Sequence, residues 1–270
     1  MSNFQGYSPN TDDMVSMQHI NKIFNRGSIN EVVLFTDFNL TIPKGQFVSV
    51  VGSNGSGKTT MLNIICGNIE ADSGQVLINN KDIFRLKEYQ RSSFIGRVFQ
   101  DPSKGTCPTL TIHENMSLAD NKNRIYGIMP GVNKKKTDYF RSQLELLQLG
   151  LENKLDLQVG SLSGGQRQAL ALLISTMSPI DLLILDEHTA ALDPRSSETV
   201  MELTDKLIRE KKLTTLMVTH NLKYAVKYGD RIILMHKGGC VVDAADEKKE
   251  DYGTADLLKI FNEISIECGN

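Results

Sequence analysis

Residues Gly52–Thr59, GSNGSGKT, constrain this chain more than any other stretch. They follow the pattern G-x-x-x-x-G-K-T, a loop that wraps phosphate. Gly55 and Gly57 let the backbone curl until several N–H groups point inward. Those groups form a concave anion site, and the helix that follows adds its positive end. Lys58 brings a compact positive charge to the outer phosphates, and Thr59 brings a hydroxyl able to ligate Mg²⁺. Gly52, Ser53, Asn54, Ser56 and Thr60 complete the phosphate-binding set. The flanks agree: apolar Phe47–Val51 (FVSVV) reads as a strand before the loop, and MLNIICGN as a helix after it.

The length of 270 residues suits one large α/β domain, and 40% hydrophobic residues can build a sizeable core. A formal net charge of −2 and a pI of about 6.2 give no nucleic-acid footprint. Cys66, Cys107, Cys240 and Cys268 have no metal-ligand spacing, and their scatter suits a reducing compartment. The N-terminus, with Asp12 and Asp13, lacks the apolar segment of a signal peptide. The longest apolar stretch, around Ala169–Met177, is interrupted by Ser175 and Thr176, far short of the roughly 18 apolar residues of a spanning helix.

Along the chain, Met1–Asp13 is polar and expected to be frayed. Strands are expected at Met14–Phe24, Glu31–Ile42, Phe47–Val51, Gln75–Ile78 and Phe94–Phe99, with a turn at Asn79–Asp82. From Leu110 to Met177 the pattern is helical: Thr111 and Glu114 have capping-box spacing, and Phe140, Leu144 and Leu147 mark an apolar face that Gly150 should stop. Lys134–Lys136 reads as solvated surface. From Asp181 strands and helices alternate again: strand Leu182–Leu185, helix Ser196–Lys211, strand Thr214–Thr219, helix Leu222–Tyr228, strands Arg231–Met235 and Cys240–Val242, and a terminal helix Thr254–Ile264. This alternation implies a doubly wound α/β sheet with the helical block inserted into it.

Two further segments carry chemistry. The apolar strand Leu182–Leu185 ends in Asp186 and Glu187, which places two acids at the carboxyl edge of the sheet, where open α/β folds bind ligands. Asp186 suits a Mg²⁺ shell, and Glu187 the polarising of an attacking water. Just upstream, Leu162-Ser163-Gly164-Gly165-Gln166 can start a helix with free N–H groups and a hydroxyl, a second anion site.

In this order, with Gln100 before and His220 after, the segments resemble those of ATP-binding cassette (ABC) ATPases over nearly the whole chain, LSGGQ being like the family's signature. The resemblance implies an α/β P-loop NTPase core with a mostly parallel sheet, an antiparallel β subdomain and an inserted helical subdomain. The whole chain, 1–270, would be a single ATP-binding domain: core and β subdomain at about 14–101 and 178–247, helical subdomain at about 102–177, C-terminal helix at about 254–264. Carried over residue by residue, Phe24 looks like the aromatic that stacks on adenine, although the family more often has Tyr and a core aromatic is the competing role. Gln100 resembles the glutamine that ligates Mg²⁺ beside Thr59 and Asp186. Ala190–Asp193 resembles the loop at the dimer interface, and His220 the histidine that contacts the γ-phosphate. His188 departs from the proline that many members carry after the catalytic carboxylate; local backbone effects are expected from it, without loss of activity.

The implied activity is ATP hydrolysis with ATP and Mg²⁺, Glu187 and His220 being catalytic. Ser163, Gly164, Gly165 and Gln166 complete the ATP site of a second copy in a head-to-tail dimer. The expected partners are an integral membrane permease and a separate substrate-binding protein, with no nucleic acid. The expected location is cytoplasmic, peripheral on the inner face of the cell membrane. Asp186-Glu187-His188-Thr189 and the segment Gln100–Asn115 look like a bacterial importer group associated with substrate-binding proteins of aromatic-amino-acid type. The alternative is a soluble ABC ATPase of the iron–sulfur cluster assembly type. The short tail after Asp246 suggests no appended regulatory domain.

Overall fold

The computed structural model describes residues 12–122, 131–132, 134–245, 249 and 252–267, with side chains to residue 260. The frayed end expected at Met1–Asp13 lies outside them up to residue 11. Residues 246–248, 250–251 and 268–270, which include Cys268, lie outside them as well.

Two sheets carry the fold. Strands β1 (Asp13–Phe24), β2 (Val32–Pro43), β4 (Ser73–Ile78) and β5 (Lys81–Asp82) form an antiparallel sheet in the order β2-β1-β4-β5. The second sheet has the order β10-β9-β3-β8-β7-β6. Its strands are β3 (Phe47–Gly52), β6 (Ile95–Val98), β7 (Leu182–Asp186), β8 (Thr214–Val218), β9 (Arg231–His236) and β10 (Gly239–Ala245). All pairs in it are parallel except β10 on β9, which closes one edge antiparallel.

The continuous apolar run of β7 has a direct cause. Leu182 and Ile184 pack with helix α1 (Lys58–Cys66) and the antiparallel sheet, while Leu183 and Leu185 pack with the helices of the opposite face. A strand buried on both faces cannot alternate with polar residues. The opposite face is covered by α3 (Ile112–Asp120), α4 (Thr137–Glu145), α5 (Gly164–Ser175) and α6 (Pro194–Lys211), which contribute Ile112, Phe140, Leu170 and Met201 to one core. A third cluster joins Val51 and Ile232 to Ala225 of α7 (Leu222–Tyr228) and Leu257 of α8 (Thr254–Glu267).

Local chemistry sets the helix ends. Thr111 Oγ1 accepts from Glu114 N, and Glu114 returns the bond to Thr111 N, as the spacing predicts. Asp193 Oδ1 accepts from the N–H groups of Arg195 and Ser196 and starts α6, with Pro194 in the first turn. The expectation that Gly150 stops α4 is not met. The helix ends at Glu145, Leu147 stays buried on the turn that follows, and Gly150 (φ +70°) instead opens a 3₁₀ turn, Leu151–Asn153. Gln148, itself at φ +53°, has already reversed the chain. The turn expected at Asn79–Asp82 is shorter than predicted, because Lys81 and Asp82 pair with β4.

One element was not legible at all: the short helix α2 (Glu88–Arg91), which lacks an apolar period. It exists to place Arg91. That side chain is 4% exposed and donates to Ile64 O and Ile65 O at the end of α1, and to Phe84 O and Leu86 O. A cation on the last carbonyls of a helix satisfies groups that have no partner within it. We expect Arg91→Met to cost about 2–4 kcal/mol, because buried carbonyls lose charge-assisted donors. A lower urea midpoint at unchanged m-value checks this, and an unchanged midpoint refutes it.

Candidate functional site

The loop after β3 is wrapped tightly. Gly52 lies so close to β9 that a Cβ there would sit 2.3 Å from Met235 O, and one on Gly57 (φ +105°) would sit 2.9 Å from Phe35 Cε1. Only glycine fits either place. Lys58, at the start of α1, folds back into the loop and donates to Gly52 O at 2.8 Å and Ser53 O at 2.9 Å. Ser56 Oγ lies 3.5 Å from the same ammonium, and Ser56 O accepts from Gly238 N. Burial pushes the Lys58 pKa down, opposed by the negative charge of Glu187. The loop is thus a cup lined by one cation, with Asn54, Gly55 and Thr59 exposed at its rim.

Strand β7 brings the two acids to the same edge. Glu187 N donates to Val218 O, and Ala190 N to Glu187 O, which holds Glu187 at φ +50°, a left-handed conformation unusual for a glutamate. Its Oε1 lies 2.8 Å from His220 Nε2, at the end of β8. A carboxylate oxygen only accepts, so Nε2 is the donor. Asp186, one residue earlier, points to the other side and pairs with Arg97 through Oδ2 at 2.7 Å.

A cavity of about 340 Å³ unites much of the predicted set: Phe24, Asn54, Gly55, Gly57, Lys58, Thr59, Thr60, Glu187 and His220 all line it. Val32 and Leu34 of β2 add an apolar wall beside Phe24. A larger cavity of about 850 Å³ opens on the far flank of Glu187 and His220, toward Leu192 and α8.

Other predicted residues stand apart. Gln100 is exposed just beyond β6 and does not line the smaller cavity. Ser163, Gly164, Gly165 and Gln166 do not line it either. Ser163 Oγ accepts from Gln166 N at 3.3 Å, and Gln166 Oε1 accepts from Ser163 N at 3.2 Å, a capping box that begins α5. The cap uses the hydroxyl oxygen as an acceptor, which leaves its proton for an anion. Gly164 and Gly165 permit close packing: a Cβ on the first would lie 3.1 Å from Leu192 Cδ2, and on the second 3.1 Å from Ser196 Cβ.

Sequence reasoning missed Arg97. Its guanidinium bonds Asn63 Oδ1 and Asn68 Oδ1 as well as Asp186, and lies 4.7 Å from the centre of the Phe99 ring. The available signal was a charged residue inside the short apolar strand IGRV. Gln168 was missed too: fully buried on α5, it donates to Phe99 O and fixes the residue before Gln100.

The comparisons with known proteins agree with this geometry. The family model described as ABC transporter matches residues 35–190. The chain is 46% identical over 248 residues to the tyrosine transport ATP-binding protein of Clostridioides difficile (strain R20291), covering 92% of this chain and 98% of that one. It is 33% identical to the ABC transporter ATP-binding protein YtrE of Bacillus subtilis (strain 168), covering 85% and 100%. A dimeric post-hydrolysis structure of the ATP-binding cassette MJ0796, bound to ADP and Pi, superposes with a TM-score of 0.71 at 32% identity, over 86% of this chain and 98% of that one. The cassette MJ1267 in its ADP conformation shares the fold, with a TM-score of 0.78 at 24% identity, over 96% and 99%. A nucleotide-sized cup at a sheet edge, two acids beside it and a matched family model over more than half the chain lead to one conclusion: this chain belongs to the ABC transporter family, as an ATP-binding, ATP-hydrolysing subunit.

Proposed function

We propose that this chain powers import of an aromatic amino acid through a separate membrane permease, with Glu187 activating water and a second copy of the chain completing each ATP site. The observation that carries the reading is the cavity shared by Phe24, the residue 52–60 loop and the Glu187–His220 pair. Phe24 and the apolar wall of β2 suit a flat base, the loop suits phosphates, and the carboxylate stands at the far end, where the terminal phosphate would lie.

The residues fit Mg²⁺ as well. Thr59 offers a hydroxyl at the exposed rim of the loop, and Arg97 engages Asp186 through Oδ2 alone of its two oxygens. Thr59, Asp186 and Gln100 would hold the ion, which when bound would neutralise phosphate charge. The remaining tasks fall to the chain itself. Lys58 shifts its donors from Gly52 O and Ser53 O to phosphate oxygens. Glu187 accepts a proton from water. His220 Nε2–H holds Glu187 Oε1 and can turn from it to the terminal phosphate when nucleotide is present.

The placement of Ser163–Gln166 away from the cavity supports the two-chain site. Helix α5 offers its free N–H groups outward, where another copy's nucleotide can meet them. The dimeric state of the MJ0796 cassette is consistent with that arrangement.

Among the described residues no helix is long and apolar enough to cross a membrane. A groove of about 370 Å³ between the core and α3 is lined by Arg97, Phe99, Glu88, Leu118 and Lys122. We assign the permease contact, and hence the place on the inner membrane face, to this groove. The aromatic-amino-acid assignment rests on the tyrosine transport relative, and a separate substrate-binding protein would select the cargo. The relatives named above are transporter subunits, which favours this reading over cluster assembly.

Three measurements check the proposal. Glu187→Gln should keep ATP affinity, lose turnover by roughly 10²–10⁴-fold, and accumulate as a dimer with ATP on size exclusion; full activity would remove the carboxylate from its role. Lys58→Ala should weaken ATP binding about 10- to 100-fold by calorimetry, and unchanged affinity would move the site elsewhere. Pull-down from a detergent extract should recover a multi-spanning membrane protein with the wild-type chain and lose it with Leu118→Glu. Recovery of soluble cluster-assembly proteins would favour the alternative.

A further inference from the structure

We propose that His188, the residue after Glu187, is a positioning residue for that carboxylate, locking the Glu187–Ala190 turn to helix α6 through a hydrogen bond to Thr204. The inference rests on the role assigned to Glu187 above.

The His188 ring is 2% exposed, and its Nε2 lies 3.2 Å from Thr204 Oγ1. Thr204 is itself fully buried, and its hydroxyl donates to Val200 O at 2.7 Å. A hydroxyl has one proton, so toward His188 the Thr204 oxygen can only accept. This fixes the Nε2–H tautomer. A buried imidazole with one directed donor is held in a single orientation. It works as a strut.

What it braces is strained. A left-handed conformation is unfavourable for a glutamate, and it persists only where its surroundings enforce it. Val218 O and Ala190 N hold the backbone of Glu187 from the sheet side and the turn side. On the helix side the turn is tied twice, by the His188–Thr204 bond and by Ser197 Oγ, which donates to Thr189 O at 3.1 Å. Ser197 and Thr204 are two helical turns apart on one face of α6. The His188 bond is the tie that acts at the residue next to Glu187. The first turn of the same helix packs Ser196 against Gly165, so α6 also sets the signature segment relative to Glu187.

The test uses the full chain, with Mg²⁺-ATP as the probe. Nitrogen-15 NMR of the histidines should show His188 as the Nε2–H tautomer. Thr204→Val, nearly the same shape, should leave ATP affinity within about twofold and lower kcat about 10-fold, the scale expected when a supporting hydrogen bond or small misplacement is at issue. His188→Leu should fall equally, the double variant should fall no further, and His188→Gln, whose amide still donates, should regain part of the rate. Folded Thr204→Val with full kcat, or an Nδ1–H ring, would overturn the proposal. Glu187→Gln run alongside separates the two claims: if it is active, the carboxylate assignment fails; if it is inert while Thr204→Val is normal, only the role of His188 fails.

Discussion

Lys58 Nζ donates to Gly52 O and Ser53 O, and the closed loop this requires constrains the packing around it. The loop can close that far only because β9 presents Met235 O, and β2 presents Phe35, against glycines. The antiparallel sheet is therefore more than a cover for α1. By packing Phe35 against Gly57 it sets the height of the cup, and by carrying Phe24, Val32 and Leu34 it supplies the apolar end of the same cavity. A buried ammonium resting on carbonyls is a reserve of donors, since the bonds it makes within the loop can be exchanged for stronger ones to an anion.

The opposite wall is built on another principle. Asp186 and Glu187 are neighbours in sequence, yet Asp186 ends β7 while Glu187 turns to φ +50°, and the two side chains meet different partners. One meets Arg97, whose guanidinium also holds Asn63 and lies against the Phe99 ring; the other meets His220 and the cup. The two acids thus occupy different electrostatic surroundings although their backbones are adjacent. Arg97 connects the first of them to the groove bordered by α3, and Gln168 connects α5 to the same Phe99 turn. The elements that would respond to nucleotide and those that would touch a membrane partner share these few side chains.

Several polar groups here are buried and satisfied by well-placed partners, as with Arg91 on four carbonyls, two of them at the end of α1, and His188 on Thr204. Such groups add little net stability when paired, but losing a partner is costly. They specify geometry, which is what a site assembled from β3, β7, β8 and α6 needs.

The sequence by itself determined the phosphate loop, the acidic end of β7, the helix start after Ser163 and the two-faced burial of Leu182–Leu185, because each depends on residues close in the chain: glycine geometry and an unbroken apolar run. It also allowed the family to be read from the order of those segments. It did not determine α2, the early end of α4, the ion pair of Arg97 with Asp186, or the tie from His188 to Thr204. Those depend on groups brought together from distant positions, 89 residues apart for Arg97 and Asp186 and 16 for His188 and Thr204. A lone arginine in a strand or a histidine in place of a common proline has no local period to betray its partner. Only the packing of β6 against β7, and of α6 beneath the turn after β7, decided which polar groups would meet.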